Sequence, residues 1–169
     1  MGLFSFIKNT GARVFGIGKT TEEEAAAARA KARRDADEAE LKLEEAAARN
    51  LEETINDLQL RVDNLYVFVD DDMARVSGMA YDQATKEKVV LVIGNTAGIA
   101  TVDDQMTVEH VEPEAQFHTV ASGDTLGKIA KHYYGNAMKY PEIFEANKPM
   151  LTDPDKIYPG QVLRIPHLD

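Results

Sequence analysis

The sequence contains no cysteine and no tryptophan, and aromatic residues make up only 7% of its 169 positions. The absence of cysteine excludes thiol catalysis, disulfide bonds and cysteine-ligated zinc. A chain without cysteine is compatible with either an oxidising or a reducing compartment. No apolar run approaches the roughly 20 residues that a membrane-spanning helix needs. The patterns G-x-S-x-G, G-x-x-x-x-G-K-[ST] and H-E-x-x-H are absent too, so the sequence indicates a protein that is not an enzyme.

An excess of positive charge is also lacking. The chain carries 19 Lys and Arg against 29 Asp and Glu, which gives a formal net charge of −10. A nucleic-acid-binding surface needs a basic face to displace counterions from phosphates, so this balance argues against a nucleic-acid partner. With 44% apolar and 28% charged residues, the composition is that of a folded globular protein.

No targeting signal is recognisable at the N-terminus. Residues 1–8 lack a basic start and fall short of the apolar run of roughly 7–15 residues that a secretory signal contains. The acylation pattern M-G-x-x-x-[ST] fails at Phe6. We therefore expect a cytoplasmic protein. A membrane-surface helix built on Phe4, Phe6, Ile7 and Phe15 is an alternative that the acidic remainder of the chain opposes.

Charge and composition divide the chain into parts. Residues 117–169 hold six basic and six acidic side chains, so the net charge of −10 lies in residues 1–116. Residues 110–116 are polar and contain Pro113, which predicts a linker. We expect an N-terminal segment over residues 1–21, a first domain over residues 22–109 and a second domain over residues 117–169.

Hydrophobic periodicity predicts the elements of the first domain. Apolar residues recur at steps of three and four from Ala28 to Leu58, as on one face of a long helix, and before Leu41 that face holds only alanine. Such a face buries little, so the early helix projects into solvent or pairs with another helix. Two strands flank an acidic turn at residues 70–72, Asp82 begins a second helix, and one further strand follows Gly98.

The resulting order is helix, strand, strand, helix, strand. This order, together with three short runs of sequence, resembles the BON domain, and the resemblance implies a small sheet with two helices on one face. The runs are Val76-Ser-Gly78, Val92-Ile-Gly94-Asn95 and Gly98-Ile-Ala-Thr-Val-Asp-Asp104.

The second domain reads as strand, helix, helix, strand and is similar to the LysM domain over the full length of that motif. Asp124 or Thr125 is the expected cap of its first helix. The matching residues are Val120, Gly123, Asp124, Thr125, Leu126, Ile129, Ala130, Tyr134, Gly135, Ile143, Asn147, Ile157, Pro159, Gly160 and Leu163-Arg-Ile-Pro166.

Both domains in one chain, the opening MGLFSFIK and the run IFEANKPML at residues 143–151 resemble the bacterial cytoplasmic potassium-binding proteins with BON and LysM domains. The resemblance implies an α+β fold and K⁺ as the ligand, with Rb⁺ or Cs⁺ able to replace it. We expect a monomer, with a protein partner possible through LysM or the Ala/Glu-rich helix. The part of that helix over residues 22–50 exceeds what the family requires.

Potassium is large and weakly hydrated, and a ring of neutral carbonyl oxygens replaces its water at modest cost. Glycine-rich chain outside helix and sheet leaves such carbonyls available, as at residues 7–12 and 94–99. The second segment follows a predicted helix C-terminus, whose dipole favours a cation. The family implies a cage that the N-terminal segment closes over this loop. We predict that its ligands are the main-chain oxygens of Ile7, Thr10, Ala12, Gly94, Thr96 and Ile99.

A glycan-binding function is the alternative. LysM domains typically bind polymers of N-acetylglucosamine such as peptidoglycan, and Met150 and Leu151 would form the apolar floor of such a groove. The absence of a secretion signal counts against a cell-wall ligand. The groove residues would be Gly123, Asp124, Thr125, Leu126, Asn147, Met150, Leu151 and Ile157.

The remaining titratable residues carry weaker signals. The four histidines show no metal-ligand spacing and are expected at the surface. The acidic residues at 70–72 and 103–104 lack the glycine and the closing glutamate of a calcium-binding loop, so we expect solvated acidic groups there.

Overall fold

The computed structural model describes residues 22–168, and its elements follow the order expected from the sequence. The first unit contains helix α1 (Glu22–Asp57), strands β1 (Val62–Asp70) and β2 (Met73–Asp82), helix α2 (Gln83–Gly94) and strand β3 (Thr101–His110). The second unit contains strand β4 (Gln116–Thr119), helix α3 (Leu126–Tyr134), a 3-10 turn (Ala137–Lys139), helix α4 (Tyr140–Ala146) and strand β5 (Val162–Ile165). The predicted α+β class is confirmed.

Strand β2 lies at the centre of the three-stranded sheet of the first unit. β1 pairs with it antiparallel and β3 pairs with it parallel. A parallel neighbour requires a crossover connection, which α2 supplies. The β1–β2 hairpin turns at Asp71, whose φ of 53° is a left-handed conformation that aspartate tolerates well. The acidic run at residues 70–72 is therefore a turn between two strands.

Helix α1 joins the core of this unit only through its second half. Leu51 and Ile55 are buried, whereas every side chain from residue 26 to residue 43 is exposed. The alanine-only face explains this difference, because alanine removes little apolar area from water. Although α1 has 36 residues, neither it nor another helix within residues 22–168 is apolar enough to cross a bilayer.

The second unit is built on a two-stranded antiparallel sheet of β4 and β5. Ile129 of α3, Ile143 of α4 and Leu163 of β5 are almost fully buried in its core. Thr125 caps α3, because its side chain accepts a hydrogen bond from Lys128 N at 3.2 Å. Asp124, the other expected cap, accepts instead from Ala121 N at 2.9 Å.

Candidate functional site

Helix α2 ends in a short loop at residues 94–99, the part of the predicted ion site that the structure describes. The last carbonyls of the helix are largely satisfied within the loop. Asn95 N donates to Leu91 O at 2.9 Å, and Thr96 donates through its backbone N to Ile93 O at 3.1 Å and through its hydroxyl to Val92 O at 2.8 Å. The loop therefore has a defined conformation that its own hydrogen bonds maintain.

The three main-chain oxygens predicted as ligands in this loop differ in their hydrogen bonding. Thr96 O accepts a hydrogen bond from Ile99 N at 3.2 Å. No residue between 22 and 168 donates a hydrogen bond to the oxygens of Gly94 or Ile99. The last turn of α2 contains no basic residue, so no positive side chain of the helix itself offsets the negative end of its dipole. The loop thus combines available neutral oxygens with a potential that favours a cation.

The end of the loop is fixed to the β1–β2 hairpin. Asp72 O accepts hydrogen bonds from Ala100 N at 2.7 Å and from Thr101 N at 3.1 Å. Ile99 is only 7% exposed, and its side chain belongs to the core of the first unit. These contacts hold the Ile99 carbonyl at a fixed place relative to the sheet.

Asn95 connects the loop to the second unit. Its side-chain amide donates to Val162 O at 3.0 Å, and its side-chain oxygen accepts from Val162 N at 2.9 Å. Val162 is the first residue of β5, so Asn95 pairs with that strand as a neighbouring backbone would. A change in the conformation of the loop would therefore alter the hydrogen bonds between Asn95 and β5.

A buried ion pair forms a second connection between the units. Arg164 Nε of β5 donates to Glu87 Oε2 of α2 at 2.6 Å, and their side chains are only 11% and 5% exposed. The other carboxylate oxygen of Glu87 accepts from Gln83 Nε2 and from Ala115 N, each at 2.9 Å. Burial, followed by the Arg164 charge, lowers the pKa of the neighbouring Lys88. The carboxylate of Glu87 thus joins α2, β5 and the connection that precedes β4.

The other predicted ligands of the ion site, Ile7, Thr10 and Ala12, lie outside the described residues. The same holds for the whole N-terminal segment, residues 1–21, and for the apolar residues of the alternative membrane-surface helix. The structure therefore describes half of the predicted cage.

The residues of the predicted glycan groove are used in different ways. Asn147 is 1% exposed, and its side chain bonds to Ile143 O, Arg164 O and Arg164 N within the core of the second unit. Met150 packs against the core of the first unit. Leu126 and Leu151 are buried, and Ile157 packs against the second core. Gly123 and Thr125 are exposed and Asp124 is half-buried, so three adjacent backbone positions remain near the surface.

Asp124 forms a local pair with His118. His118 Nε2 lies 3.0 Å from Asp124 Oδ2, and the two rings of His118 and Tyr133 meet edge to face. The hydrogen bond from Ala121 N, followed by that from His118, lowers the pKa of Asp124. Among the histidines, His110, His132 and His167 are exposed as expected, whereas His118 is half-buried.

The other acidic residues are tied to their neighbours. Asp103 pairs with Arg75 at 2.7 Å, and Asp104 pairs with Lys86 at 3.2 Å. Both residues lie within β3, so they are paired groups of a strand rather than only solvated groups. Carboxylate oxygens of Glu40, Glu44 and Asp71 lie within 4.8 Å of one another. Glu44 already accepts a hydrogen bond from Asp71 N at 2.9 Å, so Glu44 serves the packing of α1 on the hairpin.

Comparison with known proteins places this chain in a family. The model of the LysM domain matches residues 118–166. Over 167 residues the chain is 42% identical to Potassium binding protein Kbp of Escherichia coli O6:H1, a match that covers 98% of this chain and 99% of that protein. This chain belongs to the Kbp family. An uncharacterized protein of Deinococcus radiodurans is 53% identical over 49 residues, which make up 29% of this chain and 19% of that protein.

The family relationship and the LysM domain predicted from the sequence are both confirmed. What the sequence did not reveal in this member of the Kbp family is the contact between its two units. Asn95 and Val162 are 67 positions apart, and Glu87 and Arg164 are 77 positions apart. Neither pair belongs to a local pattern. The only available signal was the four-residue spacing of glutamine and glutamate, at positions 83 and 87, which places them on one helix face with Leu91.

Proposed function

We propose that this chain is a cytoplasmic, non-enzymatic potassium-binding protein that acts as a sensor or buffer. The observation that carries the proposal is the 42% identity, over 98% of the chain, to a protein named for potassium binding. The loop at residues 94–99 is consistent with this function, because the oxygens of Gly94 and Ile99 accept no hydrogen bond from a described residue.

The ion would be held by neutral main-chain oxygens. The oxygens of Gly94, Thr96 and Ile99 would supply one side of the cage, and those of Ile7, Thr10 and Ala12 the other. The negative end of the α2 dipole attracts any monovalent cation, so selectivity for K⁺ over Na⁺ has to come from the size of the cage and the number of oxygens. Rb⁺ and Cs⁺ would then replace K⁺ more readily than Na⁺ does.

Ion binding would be coupled to the arrangement of the two units, of which the first is proposed to be a BON domain. Asn95 stands between two of the ligand positions and also bonds to both backbone groups of Val162. An ion that fixes the loop therefore also fixes the Asn95 side chain against β5. The bound state gains roughly RT ln(1 + [K⁺]/Kd), about 2.7 kcal/mol when the ion is at 100 times its Kd.

Calorimetric titration of the full desalted chain with KCl, RbCl, CsCl, NaCl and MgCl₂, with X-ray scattering alongside, tests the proposal. We expect saturable heat and compaction with K⁺ and neither with Na⁺. Asn95→Ala should weaken the K⁺ affinity severalfold, because the docked state loses two hydrogen bonds of about 1 kcal/mol each. Asn56→Ala, an exposed position on α1, is the matched control and should bind as the parent does.

Three results would contradict parts of this proposal. No heat with any cation would remove the ion-binding function. Equal compaction with Na⁺ and K⁺ would remove the selectivity. An unchanged K⁺ affinity in Asn95→Ala would remove the coupling to the second unit while leaving ion binding intact.

The LysM match at residues 118–166 favours glycan binding as the second candidate. Backbone groups at residues 123–125 would have to carry much of the recognition, because the Asn147 side chain is bonded within the core and Met150 packs on the first unit. Saturable heat with oligomers of N-acetylglucosamine, together with none from KCl, would make this the function of the chain.

A further inference from the structure

We infer that residues 26–43 of α1, called the arm below, pair antiparallel with the arm of a second copy of this chain. Every arm side chain is exposed, and these include Leu41 at 51% and Leu43 at 72% exposure. The first half-buried residues after the arm are at positions 44 and 46–48, where α1 meets the sheet. The arm is thus an extension of the fold that adds nothing to the core of its own unit.

Charge along the arm is divided into two adjoining blocks of opposite sign. Residues 29–34 contain four basic residues and no acidic one, and residues 35–40 contain four acidic residues and no basic one. The basic residues are Arg29, Lys31, Arg33 and Arg34, and the acidic ones are Asp35, Asp37, Glu38 and Glu40. None of the four basic side chains forms an ion pair with a described side chain, and Glu38 pairs instead with Lys42 at 2.7 Å.

These blocks are self-complementary in only one orientation. When two arms cross antiparallel at the Arg34–Asp35 bond, each basic block lies opposite the partner's acidic block. In a parallel pair, like blocks would face each other, and like charges in contact are strongly unfavourable. The partner that best matches this charge pattern is therefore a second arm, related by a two-fold axis.

The shape of the arm agrees with the same crossing point. Residues i and 69 − i become opposite. On the helix face that can meet the partner, Leu43 therefore lies against Ala26 of the second copy and Arg29 lies against Glu40. A large side chain then covers a small one, which permits close packing. At about 1.5 Å of rise per residue the arm is roughly 27 Å long. The two folded bodies stand at opposite ends of the pair.

The pair is expected to be weak, and it revises the expectation of a monomer. Stable interfaces bury about 1,200–2,000 Å², and two short, alanine-rich arms provide less. Much of the attraction comes from exposed charges, which salt screens. Association should therefore rise with protein concentration and fall with ionic strength.

Sedimentation equilibrium on the full chain and on two charge-block variants tests the pairing. One variant carries R29E, K31E, R33E and R34E, and the other D35K, D37K, E38K and E40K. The parent should approach twice the monomer mass as its concentration rises, while each variant alone remains monomeric. An equimolar mixture of the two variants should regain the dimer. A parent that stays monomeric up to its solubility limit, or a mixture no heavier than its components, would overturn the inference.

Disulfide trapping tests the orientation without altering the charge blocks. The chain has no cysteine, so Ala26→Cys and Leu43→Cys each introduce a single thiol. Oxidation of an equimolar mixture should yield mainly the 26–43 disulfide between copies, because equivalent residues 26 would lie about 25 Å apart. A majority of 26–26 and 43–43 disulfides would indicate a parallel pair and overturn the inference, as would the absence of cross-linking.

Discussion

At the scale of single residues, the Tyr134 hydroxyl ties α3 to the chain that follows β5. Its O–H donates to Pro166 O at 2.7 Å. Desolvation, followed by the Glu142 charge, raises the pKa of Tyr134 to about 12. Because the folded state favours the neutral phenol, this stabilisation is complete below the unfolded pKa of about 10 and is lost as pH rises through the folded pKa.

An absorbance titration of the tyrosines should therefore show one late step near pH 12. Tyr134→Phe should remove that step and reduce the loss of stability on going from about pH 10 to about pH 12. Tyr158→Phe, at a side chain that is 51% exposed, should leave the late step in place. If Tyr134→Phe titrates like the parent, the late step does not belong to this residue.

Gly78 is a second residue whose identity the fold restricts. It lies at φ 134°, beside a register shift in β1 between Asp63 and Tyr66. A Cβ at this position would stand 2.7 Å from Val62 Cγ1 and 2.9 Å from Asp63 O. The backbone oxygen cannot move without breaking the β1–β2 pairing, so both the conformation and the space require glycine.

Gly78→Ala should lower the free energy of unfolding by about 2 kcal/mol or more, because strain and a steric clash act together. Urea denaturation followed by tyrosine fluorescence measures the change. Gly127→Ala is the control, because the nearest atom to its Cβ would be 3.8 Å away and the residue is helical. A loss in Gly78→Ala no larger than that in Gly127→Ala would show that the hairpin relaxes around the added methyl group.

At the scale of elements, α1 consists of two halves with different roles. Ala32 is exposed within the arm, whereas Ala48 packs against the core of the first unit. Proline within a helix removes a hydrogen bond and clashes with the preceding turn, at a cost of about 3 kcal/mol. This cost lowers the free energy of global unfolding only where the core depends on that part of the helix.

Ala32→Pro should therefore reduce helix content while it leaves the free energy of unfolding of the core within about 0.5 kcal/mol of the parent. Ala48→Pro should lower that free energy by about 3 kcal/mol or more. Circular dichroism and urea denaturation, at concentrations too low for association, separate the two readouts. Equal destabilisation by both substitutions would mean that the arm is part of the cooperative core.

The order of the elements could be predicted because each one leaves a local periodic signal. The apolar face from Ala28 to Leu58 predicted α1 and the poor burial of its first half, and Asp82 marked the start of α2, where its side chain accepts from Thr85 N. The candidate ion site was harder to predict from the sequence. Backbone oxygens leave no side-chain signature, so only the glycines at 94 and 98 and the family resemblance indicated the loop. The contact of Asn95 with β5 depends on the way two distant segments pack, which no local pattern encodes.

At the scale of the whole molecule, the Glu87–Arg164 pair determines how strongly the two units depend on each other. Both charges are buried, and Glu87 also accepts from Gln83 and from Ala115 N. Removing one partner of a buried ion pair leaves an uncompensated charge and costs about 3–5 kcal/mol, whereas removing both costs much less. The pair thus links the stabilities of units whose hydrophobic cores are separate.

Glu87→Gln keeps an oxygen for Gln83 and Ala115 but leaves Arg164 without its counter-charge. We expect the parent to unfold in a single calorimetric transition and Glu87→Gln to unfold in two, because the units of the variant lose their strongest shared contact. The double variant Glu87→Gln/Arg164→Met should recover part of the loss, since no unpaired buried charge remains. Lys42→Gln, which breaks a pair whose side chains are 70% and 66% exposed, is the control and should change stability by less than about 0.5 kcal/mol. If Glu87→Gln still unfolds in one transition at the parent's midpoint, the units are coupled through Asn95 and the Met150 contact instead.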